Sequence, residues 1–208
     1  MTTQYQVKLG MDGKLYWRSG GTYAAPVWTE IDNVRDVSNA LERGEADVTV
    51  RKNGGWRATI GTILDASGEF LMLDIEGDVG FEEVKYAFLN KQPMELAFLN
   101  GGITTPGSKG LRAIFSVTAF NEDQSLEEGI AHSVTVKPTI AAYKPIWYAV
   151  GLIAAAEPTT GLGANLYWDS SAAKCTFTAL GNTFIGVTVA DYTTAATLVY
   201  YDSGAPRP

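Results

Sequence analysis

Asp47-Val48-Thr49-Val50-Arg51-Lys52-Asn53-Gly54-Gly55-Trp56-Arg57-Ala58-Thr59-Ile60 is the stretch that decides the fold class. Polar and apolar residues alternate from 47 to 51, the period of a strand with one buried face. Asn53-Gly54-Gly55 then offers the positive φ angles that a chain reversal needs. The stretch reads as a β-hairpin whose Gly-rich tip carries Arg51, Lys52, Asn53, Gly54, Gly55, Trp56 and Arg57.

The same punctuation recurs on both sides. Met11-Asp12-Gly13-Lys14 lies between Tyr5-Gln6-Val7-Lys8-Leu9 and Leu15-Tyr16-Trp17-Arg18, and Asp-Gly in that setting predicts a type I′ hairpin. Ser67-Gly68-Glu69-Phe70-Leu71-Met72-Leu73-Asp74 reads as a largely buried strand. Residues 111–120 read as another, and Ala131-His132-Ser133-Val134-Thr135-Val136-Lys137-Pro138 alternates until its proline. One helix interrupts the pattern. Asp78 suits its N-cap, and Phe81, Val84, Ala87 and Phe88 recur at helical spacing. Glu82 and Glu83 sit at its positive end, Lys91 at its negative end, and Pro93 stops it. The sum is a mainly β chain: a β-sandwich or barrel with one flanking α-helix.

Charge divides the chain. Residues 1–142 carry 13 of the 16 Lys/Arg and 19 of the 23 Asp/Glu. Residues 143–208 are charge-poor and rich in Ala, Thr, Gly and Tyr. Strand-like segments recur there at 165–169, 174–178, 183–189 and 197–201, with turn residues between them. A first domain over 1–142 and a small all-β C-terminal domain over 143–208 are expected.

Composition excludes several functions. The 208 residues hold a single His and a single Cys, which rules out a disulfide framework, a Cys/His zinc site and any mechanism needing two imidazoles. A net charge of −7 argues against a surface that grips nucleic acid. No apolar run is long enough to cross a membrane as a helix, so no membrane insertion is expected. The polar start, Met1 to Lys8, has no signal-peptide pattern.

A search for chemistry returns little. His132 sits in an alternating strand and has no Gly-x-Ser-x-Gly elbow to serve. The adjacent pairs Glu82/Glu83 and Glu127/Glu128 diverge rather than converge on one site. Asp74-x-Glu76-x-Asp78 opens like a calcium loop, but Val79 stands where that loop needs Gly and Lys85 where it needs Glu. The 102–110 loop lacks the Gly-Lys-Ser/Thr run of a phosphate loop. No catalytic residue, metal site or cofactor is expected. The aromatics of the C-terminal part, with Trp147, Tyr167 and Trp168 foremost, could form a surface platform for a sugar. A carbohydrate-binding or decoration module acting through this aromatic-rich C-terminal part is therefore the alternative reading.

An ordered series of segments resembles a known family. It runs Trp28-Thr29-Glu30-Ile31-Asp32-Asn33-Val34-Arg35-Asp36-Val37, Gly44-Glu45-Ala46-Asp47-Val48-Thr49-Val50-Arg51, Gly55-Trp56-Arg57-Ala58 and Asp65-Ala66-Ser67-Gly68-Glu69-Phe70. It continues with Gly110-Leu111-Arg112-Ala113-Ile114-Phe115-Ser116-Val117-Thr118, Leu126-Glu127-Glu128 and Val134-Thr135-Val136-Lys137-Pro138-Thr139. Together these resemble the major tail tube proteins of tailed bacteriophages over residues 5–140.

The resemblance implies a homo-hexameric ring, stacked into a hollow tube in the virion tail and assembled in the host cytoplasm. Inward-facing strands of all copies would form one β-barrel, through which genomic DNA passes without sequence-specific binding. By analogy the partners include tail terminator, tape measure and initiator proteins, and the tip 51–57, with the loop 100–110 as the alternative, supplies a contact between rings or subunits. Glu45, Asp47 and Glu69 are the channel-lining candidates. The segment 143–208 would then lie on the tube exterior, which suits a long non-contractile tail. Elementary electrostatics agrees, because each Lys/Arg–phosphate contact adds affinity that would stall DNA in transit.

Overall fold

The computed structural model describes residues 8–152, 165–169, 174–177, 183–188 and 197–202. Its strands are β1 (Lys14–Gly21), β2 (Pro26–Glu30), β3 (Val34–Asp47), β4 (Thr59–Leu73), β5 (Met94–Leu99), β6 (Lys109–Asp123), β7 (Ala131–Pro138), β8 (Ile146–Leu152), β9 (Asn165–Asp169), β10 (Lys174–Thr176), β11 (Thr183–Thr188) and β12 (Thr197–Asp202). The helix α1 spans Val79–Leu89 between β4 and β5. All strand pairs are antiparallel.

The long strand β6 joins two sheets. Its first half pairs with β5 on one side and β8 on the other. Its second half, from Phe115 onward, pairs with β7, which pairs with β4, which pairs with β3. One sheet therefore runs β3-β4-β7-β6, and the other runs from β6 through β5 and β1 to β2. Alternation along β6 explains how it serves both. Leu111, Ala113, Phe115 and Val117 point into the main core, while Arg112 points to the opposite face. The main core fills the space between the sheets with Phe70, Met72, Val134 and Val136 from one and Leu15, Leu96 and Phe98 from the other. The helix adds Phe81, Val84 and Ala87 to it. Its N-cap is Asp78, whose carboxylate accepts from the Phe81 amide at 2.6 Å.

Two expectations change. The Asp12-Gly13 hairpin does not form. Gly10–Asp12 is a single 3-10 turn, Gly13 has φ −65° and enters β1 extended, and Tyr5 to Val7 lie outside the described residues. The strand expected over 47–51 also ends at Asp47, because the hairpin around it is far longer than the alternation suggested.

The division expected after residue 142 cuts between β7 and β8. Yet β8 pairs with β6 and buries Ile146, Tyr148 and Val150 in a second core with Tyr16, Ala97 and Leu99. The four segments expected in the C-terminal part are strands β9 to β12. Of these, β12 pairs with β8 and β11, β11 with β9, and β9 with β10.

Candidate assembly surfaces

The hairpin β3–β4 is the most unusual feature of the molecule. Near its base, Phe70 and Met72 are fully buried, and Ala66 is the last β4 residue covered by the body. Past that point both faces are open. Leu41 is 53% exposed, Leu64 67% and Ile63 81%. Burying such a side chain is worth about 1.5–3 kcal/mol, and an isolated two-stranded ribbon is marginal in water. Among the described residues nothing covers this arm, so its apolar side chains go without that gain.

The tip closes through a 3-10 turn at Arg51–Asn53 and two left-handed glycines, Gly54 (φ 60°) and Gly55 (φ 86°). Only glycine adopts two such conformations in succession without strain. Arg51 and Lys52 are exposed, and Trp56 is 82% exposed. Arg57 reaches back to Asp47 at 3.2 Å. Hydrogen bonds from Thr49, with Arg57 adding to them, hold the Asp47 carboxyl below its ordinary value.

Register sorts the channel candidates. Opposed residues of an antiparallel pair share a face. Glu69 pairs with Ser38, Ser67 with Ala40, and Asp65 with Glu42, and Thr135 of β7 lies beside Glu69. Lys137 borders the same shallow depression as Glu42 and Asp65. This face, opposite Phe70 and Met72, carries small polar side chains, three exposed carboxylates and the exposed Lys137, with Arg35 farther along beside Leu71. Glu45 and Asp47 fall on the other face, in phase with Arg43 and Leu41. A bulge between Arg43 and Glu45 keeps Gly61 opposite Glu45 and under the Arg43 side chain. The structure therefore joins Glu69 with Glu42 and Asp65, which the sequence reading missed, and separates it from Glu45 and Asp47. Counting alternate residues back from Glu69 along β4 reaches Asp65 and could have found it.

Both edges of the β3-β4-β7-β6 sheet are free. The strand β3 pairs only with β4, and the second half of β6 only with β7, among the described residues. Exposed edges of this length are templates for pairing with another chain.

Behind the other sheet lies a buried ionic cluster. Arg112 is fully buried and holds Glu95 through Nε at 2.7 Å and Nη2 at 2.6 Å. Glu95 also accepts from Arg18 at 2.5 Å. The Arg112 guanidinium lies 4.0 Å over the Tyr23 ring, and Tyr23 stacks on Tyr143 at 3.7 Å. Burial pushes the Tyr148 phenol up to about 12. These groups pin the connection between β7 and β8 to the body.

The aromatic platform candidates fall in different settings. Trp147 is half-buried against the main core and borders an open groove with Lys8, Lys14, Arg35 and Lys109. Tyr167 is half-buried in β9, and Trp168 follows it in the same strand. His132 is buried against Phe81 and Phe120, with Nε2 3.5 Å from Asp74 Oδ2. Among the described residues, no three His, Cys, Asp or Glu side chains are grouped as metal ligands, and no helix is long and apolar enough to cross a membrane.

No protein-family model matches the chain, and no curated protein matches it. Solved structures do. The tail of an empty gene transfer agent particle, determined by helical refinement with C6 symmetry, is similar at a TM-score of 0.52 and 17% identity, covering 65% of this chain and 96% of that one. The virion of a native gene transfer agent particle matches at 0.50 and 16%, with the same coverage. The SPP1 tail tube matches at 0.50 and 14%, covering 62% of this chain and 74% of that one. The chain has the fold found in these tails, and about a third of it lies outside the likeness.

Proposed function

We propose that this chain is the structural subunit of a tail tube. The observation that carries the proposal is the β3-β4-β7-β6 sheet, which has two free edges and one face of small polar and acidic side chains, in a fold shared with solved tails. Edge-to-edge pairing of that sheet round a ring removes both edges at once, as closure does in any barrel. The C6 symmetry of the gene transfer agent tail supports a ring of six. Glu42, Asp65 and Glu69 then face the channel. Three carboxylates outweigh Lys137 on this face, where Arg35 is already paired with Glu128, so it repels phosphate and leaves DNA free to slide, since it is cationic contacts that hold it.

The chain's work on this reading is geometric, without catalysis or cofactor, and its place is the virion tail. The uncovered arm from Leu41 to Leu64 packs on a neighbouring copy, and the tip 51–57 reaches the next ring. The first domain extends through β8, because that strand completes the sheet around Arg112. The remaining quarter of the chain, after Leu152, sits on the outside of the tube. Negative-stain microscopy of the concentrated protein tests the proposal. Rings and hollow tubes are the expected result, and a strictly monomeric protein, even with tail initiation factors added, would overturn it.

A further inference from the structure

The two ends of the β3-β4-β7-β6 sheet differ in charge and match in apolar character. The tip segment 48–58 carries Arg51, Lys52 and Arg57 and no carboxylate. Val48, Val50 and Trp56 are exposed beside them. At the other end of β4, roughly 50 Å away for 15 residues at about 3.3 Å each, two loops lie together. Residues 74–78 leave β4, and 124–130 join β6 to β7. They are tied by a hydrogen bond from the Asp74 amide to the Ile130 carbonyl at 2.9 Å. Here Ile75, Val79 and Ile130 are exposed, and Leu126 is fully exposed. Round these apolar side chains stand Asp74, Glu76, Glu122, Asp123, Glu127 and Glu128. Of the basic residues, Arg35 reaches this end and is paired with Glu128 at 3.6 Å.

Apolar anchors inside a charged rim describe a protein-binding surface. The rim chooses the occupant. A chain of net charge −7 repels its own copies in general, so a self-contact needs a local reversal of sign. The cationic, carboxylate-free tip is that reversal, and it lies at the opposite end of the same sheet. We infer that the hairpin tip of one copy docks on the end formed by residues 74–79 and 122–130 of a second copy, head to tail. Trp56 and Val50 meet Leu126 and Ile75 there, and Arg51 and Lys52 face Glu122 and Glu127. This rests on the tube reading and names the receiving surface for its inter-ring contact.

Paired charge reversal tests the inference. Arg51→Glu with Lys52→Glu, or Glu122→Lys with Glu127→Lys, each raises the protein concentration needed for tube growth by about tenfold or more. The four changes together in one chain bring growth back toward the wild-type concentration. Two-residue variants that polymerise like wild type, or a four-residue variant that does not recover, overturn the inference. Carbodiimide treatment of wild-type tubes gives a second readout independent of variant folding. It should join Lys52 of one copy to Glu122, Asp123, Glu127 or Glu128 of another, and Lys52 joined only to other carboxylates overturns the docking. Wild-type protein that forms neither rings nor tubes overturns the tube reading as well. Wild-type tubes whose growth ignores both reversals overturn the docking alone.

Discussion

Glu42 and Asp65 stand directly opposite each other across β3 and β4, two exposed carboxylates in one cross-strand pair. Like charges in that position destabilise a ribbon, by about 0.2–1 kcal/mol. Glu42→Gln should therefore raise the stability of the isolated chain by that amount in urea titration. Reversal to Glu42→Lys with Asp65→Lys should leave tubes able to form and make them retain double-stranded DNA. A filter-binding assay reads this as retention that fades steeply with salt. Tubes of the double variant that pass DNA as freely as wild type would place this face away from the channel.

The uncovered arm makes a second prediction. Leu64→Asp and Ile63→Asp change side chains that the chain itself leaves largely in water. Monomer stability should move by no more than about 0.5 kcal/mol, while ring formation is lost on analytical ultracentrifugation. A matching fall in monomer stability would mean that the arm folds back on its own body.

Arg112 should behave in the opposite way. Its partner Glu95 is as buried as it is. Arg112→Ala removes the buried cation from Glu95, leaves that carboxylate only the part-exposed Arg18, and should cost about 3–5 kcal/mol, seen as a lower thermal midpoint before any effect on assembly. Replacing both, Arg112→Met with Glu95→Leu, should recover most of the loss.

Truncation separates the two possible domain limits. A chain ending at Leu152 keeps β8 against β6 and should melt as one cooperative unit. A chain ending at Ala142 loses Ile146, Tyr148 and Val150 from the second core, together with the Tyr143 ring stacked on Tyr23. It should melt several degrees lower or aggregate. Equal melting by calorimetry would return the boundary to residue 142.

The tip should also respond to acid. The Asp47 carboxyl lies below its ordinary 3.8, chiefly through Thr49 and then Arg57. A depressed carboxyl supplies its stabilisation above the unfolded value and loses it as pH falls through the folded value. Amide signals of Thr49 and Ala58 should stay constant above about pH 5 and shift only below the ordinary carboxylate range. A midpoint above 3.8 would contradict the pairing.

Much of this architecture is legible in the sequence because it rests on local physics. The Asp78 cap and the Phe81-Val84-Ala87 stripe announce α1, and alternation announces β7 and the strands after residue 165. The hairpin was legible as a reversal at Gly54-Gly55 but not in its length. Strands with neither face covered show no alternation, and residues 38–47 mix Ser, Asn, Leu, Glu and Gly without a period. The Asp12-Gly13 turn misled because a type I′ reversal needs positive φ at both central residues, and Gly13 stays extended. Glu42 and Asp65 become neighbours only through register, and register past a bulge is not written in either strand alone. Arg112 was equally hidden. A charged residue inside an alternating strand looks solvent-facing until the second sheet face proves to be covered by Tyr23, Trp28 and Tyr148.

The placement of the Gly54-Gly55 tip and the Leu126 loop at opposite ends of one sheet gives any stack of this chain a direction. In a tube built as proposed, one terminus would display cationic fingers and the other acidic sockets. A protein shaped to stop elongation at the fingers finds no purchase on the sockets, and a nucleating base that receives fingers cannot also cap them. Such a filament is an arrow, and its two ends can be told apart by charge before any partner has touched it.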